Sequence, residues 1–256
     1  MSRLALRRRA ELHSKQVSLI VPAFNEELNL EQAVYDIVKS AEEFLEEYEV
    51  LIINDGSRDR TGEIAERLAG ANERVRVIHH PFNVGYGGGQ QTGLKHARYP
   101  WVMIIPADRQ FDPQDIQKYL PYMDEADIIV GYRSDRGDPL FRRMNTLLLR
   151  VVMAVLFGVT LRDVNWVKLM RKSMIQRFQI ESKNIGVDAE VIVKAKHLGC
   201  RFREVRVQYL PRMAGQSKGD KLLNIAITLL ELVRLFLFKF LKMGDFSSKH
   251  SRPRDT

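Results

Sequence analysis

From residue 16 to residue 131, short apolar runs alternate with helical stretches, and this alternation most restricts the fold. Residues 17–21, 49–53, 74–79, 101–105 and 127–131 read as strands, rich in Val, Ile and Leu and bounded by Pro, Gly or Asp. Residues 26–48, residues 59–68 and a stretch ending at Ala97 read as helices. In the first of these, Leu30, Val34, Ile37, Val38, Ala41 and Leu45 form one apolar stripe. Strands separated by helices pair in parallel and are covered on both faces, so the pattern predicts an α/β fold with a twisted, mainly parallel sheet.

Open sheets of this kind bind ligands beyond the carboxyl ends of their strands. Four loops fall there: residues 22–27, 54–57, 83–89 and 106–113. In the last, an apolar run breaks at Pro106, so Asp108 sits just past a strand end with Gln110 two residues on. A carboxylate and an amide oxygen are hard donors, suited to a divalent ion that travels with phosphates. The plainer alternative is an ordinary turn in which Asp108 or Asp112 caps the next helix, and short motifs often mean no more than that. Acids gathered on one rim do not hold an anion directly. They accept bonds from a base or ribose hydroxyls, or they hold a cation.

A chain of 256 residues makes one large α/β domain or two small ones. Its 45% hydrophobic and 28% charged residues exclude wholesale disorder. Lys and Arg total 40 against 32 Asp and Glu, a net charge of +8 that favours acidic partners: nucleotide phosphates, anionic membrane or nucleic acid. No basic-aromatic motif accompanies the charge, so nucleic acid is not expected. Cys200 is the only cysteine, which precludes an internal disulfide and suits cytosolic exposure. His79 and His80 are adjacent on a strand and should point to opposite faces. The glycine run at residues 85–89 fails the dinucleotide spacing, because Gln90 or Thr92 stands where the third glycine belongs.

Residues 1–15, with Arg3, Arg7, Arg8 and Arg9, lack the apolar core of a signal peptide and read as a basic flexible arm. Residues 247–256 read as a disordered tail. Residues 142–161 and 221–243 are long apolar helical stretches with polar stripes, and neither holds an apolar run long enough to span a bilayer. Such helices pack into a core or lie in a membrane interface, and the stripe alone does not decide between them.

The ordered motifs P-x-x-N-E from Pro22, D-G-S-x-D-x-T from Asp55, N-x-G-x-G-G from Asn83 and A-D-x-Q-x-x-P from Ala107 resemble the family 2 glycosyltransferases. The nearest branch is that of dolichol-phosphate mannose synthase and the polyprenyl-phosphate glycosyltransferases. The resemblance implies a single GT-A domain over residues 16–220, followed by an amphipathic, membrane-interfacial helix over 221–246. It assigns Pro22 and Glu26 to the first nucleotide-contacting loop and makes Asp55 the acid that recognises the base. It matches Asp108 to the second aspartate of the D-x-D motif and Gln110 to the glutamine that follows. Pro106 takes the place of the first aspartate and supplies neither a carboxylate nor an N–H. A Mg2+ or Mn2+ ion would then rest on Asp108, Gln110 and the donor's own diphosphate, with metal dependence weakened.

By the same resemblance, Arg133 faces an acceptor phosphate, with Arg142 or Arg143 as a second cation. Arg212 and Lys218, in an R-x-x-G-x-S-K loop, close over the donor. Trp166 and Val167 depart from the family's Gly-Phe pair before Lys168. The implied reaction is inverting transfer of a sugar from a nucleotide sugar of GDP-mannose or UDP-glucose type to polyprenyl or dolichyl phosphate. It would occur on the cytoplasmic face of an anionic membrane, by a peripheral protein acting alone, as a homo-oligomer or with a membrane-anchored partner. Catalysis would fall to Asp108, Arg133, Arg212 and Lys218. The alternatives are a family 2 enzyme with a soluble or polysaccharide acceptor and a non-catalytic nucleotide-binding subunit.

Overall fold

The computed structural model describes residues 15–133, 140–184 and 186–211, together with 230, 232, 233 and 236. The basic arm to residue 14, Arg212, Lys218, most of the 221–246 helix and the tail lie outside the described residues.

The first half alternates as expected: β1 (Gln16–Ala23), α1 (Leu30–Phe44), β2 (Glu47–Asn54), α2 (Thr61–Ala71), β3 (Val75–His79), α3 (Tyr86–His96) and β4 (Trp101–Ile104). Two 3-10 turns, Pro113–Lys118 and Leu120–Tyr122, lead to β5 (Ile128–Arg133) and α4 (Leu140–Phe157). Then come β6 (Lys168–Arg171), the single turn α5 (Lys172–Ile175), α6 (Val187–His197) and β7 (Phe202–Val207). The strands form one seven-stranded sheet in the order β3-β2-β1-β4-β6-β5-β7. Only β6 runs against its neighbours β4 and β5; every other pairing is parallel. The loops after β1, β2, β3, β4 and β5 therefore open on one rim.

Two apolar layers sandwich the sheet. Val17, Leu19 and Val21 of β1 join α1, α2 and the 3-10 turns on one face, while Ile20 joins α3, α4 and α6 on the other. A strand buried on both faces needs the near-continuous apolar run seen at residues 17–21. In α1 the buried face is Leu30, Ala33, Val34, Ile37, Ser40 and Ala41, one side of a 3.6-residue period.

Several boundaries differ from the sequence reading, α2 among them at Thr61–Ala71 against the expected 59–68. Helix α1 is shorter than the expected 26–48, because Glu26 N and Glu27 N bond to Thr61 Oγ1 and Asp59 across the rim instead of starting a helix. Its end comes at Leu45, which is extended and leads into β2. Helix α3 begins at Tyr86, inside the glycine run expected to be loop, because that helix end packs on the backbone of residues 182–183. Strand β5 runs on through Arg133, paired with β7 as far as Val207.

Helix α4, at Leu140–Phe157, overlaps the expected 142–161 stretch, starting two residues earlier and ending four earlier. Met153 and Phe157 are buried against the sheet, whereas Leu147, Leu148, Val151 and Val155 are exposed. Leu232 is buried beside it, and Phe236 meets Phe157 edge-on with ring centroids 6.2 Å apart. Among the described residues, no helix is long and apolar enough to cross a membrane.

Candidate active site

The loops after β1 and β2 are fastened by the side chains that define their motifs. Asn25 N donates to Ser57 Oγ at 3.0 Å, and Arg58 N returns a bond to Asn25 Oδ1 at 2.9 Å. Glu26 N donates to Thr61 Oγ1 at 2.8 Å, and Glu27 N to Asp59 Oδ2 at 3.2 Å. Much of P-x-x-N-E and D-G-S-x-D-x-T is thus mutual fastening of two loops whose backbones would otherwise hold unpaired N–H groups. Burial opposes ionisation of Asp59, but bonds from Thr61 and from the Glu27 backbone hold its carboxyl below the usual range. Within its own loop, Glu26 Oε2 accepts from Asn29 Nδ2 at 2.8 Å.

Asp55 follows β2 and faces the glycine helix. Its Oδ1 accepts from Val84 N at 2.9 Å and its Oδ2 from Gly85 N at 3.0 Å. Gly85 has φ 89°, a left-handed conformation that favours glycine. A Cβ at Gly87 would lie 2.3 Å from Ser182 O, so the close approach of residues 182–183 excludes any larger residue. Pro22, at the end of β1, lies against the same helix, within 3.6 Å of where a Cβ on Gly89 would stand.

Asp108 follows β4. Its Oδ1 accepts from Gln110 N at 3.2 Å, closing a local turn over Arg109, whose φ is 61°. Asp112, the other candidate cap, does cap the 3-10 turn, accepting from Gln114 N at 3.0 Å. Gln110 Nε2 donates to Tyr209 Oη at 2.7 Å, which turns its carbonyl oxygen the other way. Burial pushes the Tyr86 phenol well above its ordinary range, and the charges of Asp188 and Asp108 add to the shift, so the three groups share one electrostatic neighbourhood. Between α1 and this loop lies a groove of about 400 Å³, lined by Asp36, Lys39, Pro106, Arg109 and Pro211 among others. Neither Asp108 nor Gln110 lines it.

Arg133 closes the other side of the rim. Its Nε and Nη2 fork onto Asp163 at 2.8 and 3.4 Å. The guanidinium lies 4.1 Å from the Trp166 ring centroid and 5.6 Å from that of Tyr209. Trp166 therefore replaces the family's glycine with a platform for the arginine. Gly131 makes room for it, since a Cβ there would stand 2.1 Å from Tyr119 Oη and 3.0 Å from the indole. Lys168 is buried and holds Trp166 O at 2.8 Å and Asp188 Oδ1 at 2.7 Å, tying β6 to the first turn of α6.

Of the residues singled out from sequence, the rim collects Pro22, Glu26, Asp55, Asp108, Gln110 and Arg133. Arg142 and Arg143 stand in the first turn of α4, a few residues beyond β5. Arg212 and Lys218 lie outside the described residues, immediately after Pro211. Sequence reasoning missed Tyr209, Tyr86 and His80 as members of the site, and met Asp163 only as the head of the family-like stretch that ends at Lys168. Only the His79–His80 pair left a visible signal. As for a divalent ion, no three His, Cys, Asp or Glu side chains gather among the described residues. Asp108 and the Gln110 carbonyl fit an ion completed by donor phosphates and water, and do not fit an all-protein cage.

Residues 18–187 match the family model for glycosyl transferase family 2. A dodecaprenyl-phosphate galacturonate synthase of Rhizobium johnstonii is 28% identical over 174 residues, covering 66% of this chain and 52% of the relative. An undecaprenyl-phosphate 4-deoxy-4-formamido-L-arabinose transferase of Edwardsiella ictaluri is 26% identical over 214 residues, covering 82% of this chain and 65% of the relative. The chain thus spans about half of the first relative and less than two-thirds of the second. Glucosyl-3-phosphoglycerate synthase of Mycobacterium tuberculosis, solved with Mn2+, UDP and glucosyl-3-phosphoglycerate, shares the fold. Its TM-score is 0.68 at 18% identity, covering 89% of this chain and 81% of that one. With the family match running over most of the described sheet and its rim, the chain belongs to glycosyl transferase family 2, and it is a glycosyltransferase of the GT-A fold.

Proposed function

We propose that this enzyme transfers a sugar, with inversion, from a nucleotide sugar of GDP-mannose or UDP-glucose type to a polyprenyl or dolichyl phosphate at the cytoplasmic face of a membrane. The observation that carries the reading is the placement of Arg133. Tyr209 stands between it and Gln110, 5.6 Å from the guanidinium on one side and 2.7 Å from the amide on the other. A cation for an acceptor phosphate and a ligand for a donor diphosphate thus flank one ring. The names of the two bacterial relatives support the same acceptor class.

A phosphate acceptor is ionised at neutral pH, so the reaction needs positioning and charge neutralisation rather than a strong base. Asp163 and Trp166 fix the Arg133 guanidinium before the acceptor arrives, and Arg142 or Arg143 would add a second cation. Pro22, Glu26 and Asp55 would hold the nucleoside. Asp108 and Gln110 would hold Mg2+ or Mn2+, which when bound offsets charge on the departing diphosphate. Arg212 and Lys218 would close over that diphosphate from the segment after Pro211.

The test is incubation with vesicles carrying undecaprenyl phosphate and a panel of radiolabelled nucleotide sugars. Label entering the lipid phase is the expected result. Label found only in water-soluble or polysaccharide product would replace the lipid acceptor, and no turnover of any donor would favour the non-catalytic reading.

A further inference from the structure

We infer that His80 is a positioning residue that sets which nucleobase the donor site accepts, by leaving Asp55 a single open acceptor position; the inference rests on the proposed role of Asp55 in reading the donor base. Strands β2 and β3 pair in parallel up to Asn54 and His79, and His80 N adds one more bond, to Asn54 O at 2.9 Å. The side chains continue this pairing. His79 turns toward α2, with Nδ1 2.8 Å from Asn54 Nδ2 and Nε2 2.9 Å from Glu66 Oε1. His80 turns the opposite way, with Nδ1 2.7 Å from Asp55 Oδ1 and Nε2 2.9 Å from Thr92 Oγ1 on α3. The side chains of His80 and Asp55 are 11% and 6% exposed.

Two backbone N–H groups already point at Asp55, so its carboxylate acts as an acceptor and His80 Nδ1 supplies the proton between them. An ionised carboxylate offers about four acceptor positions, two on each oxygen. On Oδ1 both are taken, by His80 Nδ1 and Val84 N. On Oδ2 one is taken, by Gly85 N. One position remains, on Oδ2. Uracil presents a single ring N–H between two carbonyls and needs one acceptor. Guanine presents a ring N–H beside an exocyclic N–H, and that pair needs both oxygens. A guanine seated here would leave one N–H unpaired, an energetic loss of roughly tenfold in affinity. Thr92 holds the far nitrogen of His80, so the ring does not swing aside to release Oδ1.

The experiment is calorimetric titration of UDP and GDP, each with Mg2+, into the wild-type chain and three variants whose folding is checked by thermal melts. The wild type should bind UDP at least tenfold tighter than GDP. His80→Leu opens the second position on Oδ1 and should bring the ratio to within about threefold. His80→Asn keeps an N–H beside Oδ1 and should restore it. Should His80→Leu fail to fold, Thr92→Val carries the comparison, since it leaves the Asp55 contacts intact but frees the ring; a ratio reduced at least threefold is expected. A ratio unchanged in every folded variant overturns the inference and makes His80 a purely structural tie. Equal or tighter binding of GDP by the wild type overturns the inference while leaving the donor site standing. Binding of neither nucleotide overturns the donor-site reading, and the inference with it.

Discussion

Just past β4, Pro106 supplies neither a carboxylate nor an N–H beside Asp108, and on the proposed reading a divalent ion would rest on one carboxylate and one amide. Asp108→Ala should therefore lower turnover by tenfold or more, about 1.4 kcal/mol or above in the barrier, read as sugar transfer at saturating donor. Near-normal turnover would reduce Asp108 to the turn it closes with Gln110. Pro106→Asp should lower the Mn2+ concentration needed for half-maximal rate. Asp59 makes a different demand. Its carboxyl is held below the usual range by bonds donated from the neighbouring loop. Its contribution to stability is present above the unfolded value of about 3.9 and is lost as pH falls through the lower folded value. Asp59→Asn should lower Tm by roughly 2–4 °C at neutral pH, the scale of about 1 kcal/mol, and flatten its decline below pH 4. A variant whose melting curve follows the wild type at every pH would contradict this. At this scale the residues of the rim were legible in the sequence and their partners were not. Asp55 meets His80 at a separation of 25 residues and Gln110 meets Tyr209 at 99. Contacts at such distances along the chain leave no local pattern to read.

The elements were legible where hydrophobic period and turn residues agree, from β1 to β4, and less so where tertiary contacts decide. Nothing in the Lys-Leu-Met-Arg sequence of residues 168–171 says that β6 runs antiparallel between β4 and β5; that direction is set by pairing. The start of α3 is a second case, because glycine is a poor helix former. The run at 86–89 nevertheless becomes helical because backbone packs against it: Gly87 N donates to Lys183 O at 2.9 Å, and Glu190 holds the amides of Glu181 and Ser182 at 2.8 and 2.7 Å. Two substitutions separate packing from propensity. Gly87→Ala puts a Cβ 2.3 Å from Ser182 O and should cost about 1–3 kcal/mol, seen as a lower Tm and weaker nucleotide binding. Gly70→Ala, on α2 with nothing within 4 Å of the new methyl, should raise Tm by the equivalent of about 0.4–1 kcal/mol. If both changes lowered Tm alike, helix propensity and unfolded-state entropy would not be governing the second site.

For the whole molecule, the unanswered question from sequence was what covers the long apolar helices, and α4 has two answers. One side belongs to the core through Met153 and Phe157, while Val151 and Val155 on the other are 51% and 76% exposed. Leu230 and Val233 are exposed as well, on the segment whose Phe236 packs on Phe157. Exposed apolar side chains on α4 and at Leu230 and Val233, in a chain with net charge +8, suit an anionic lipid interface, where apolar burial and charge act together. The proposed polyprenyl acceptor, anchored by its tail, would require the enzyme to work at such a surface. The protein should therefore sediment with vesicles rich in phosphatidylglycerol and be partly released by salt, since each well-placed basic residue adds about 1 kcal/mol that screening removes. Val151→Glu combined with Val155→Glu should release it further at low salt. Both positions are open to solvent, so Tm and nucleotide binding should be kept. Release with unchanged melting would make this face the membrane contact. Loss of folding instead would show that these valines are covered within the protein, and attachment would then fall to a partner or to a second copy of the chain.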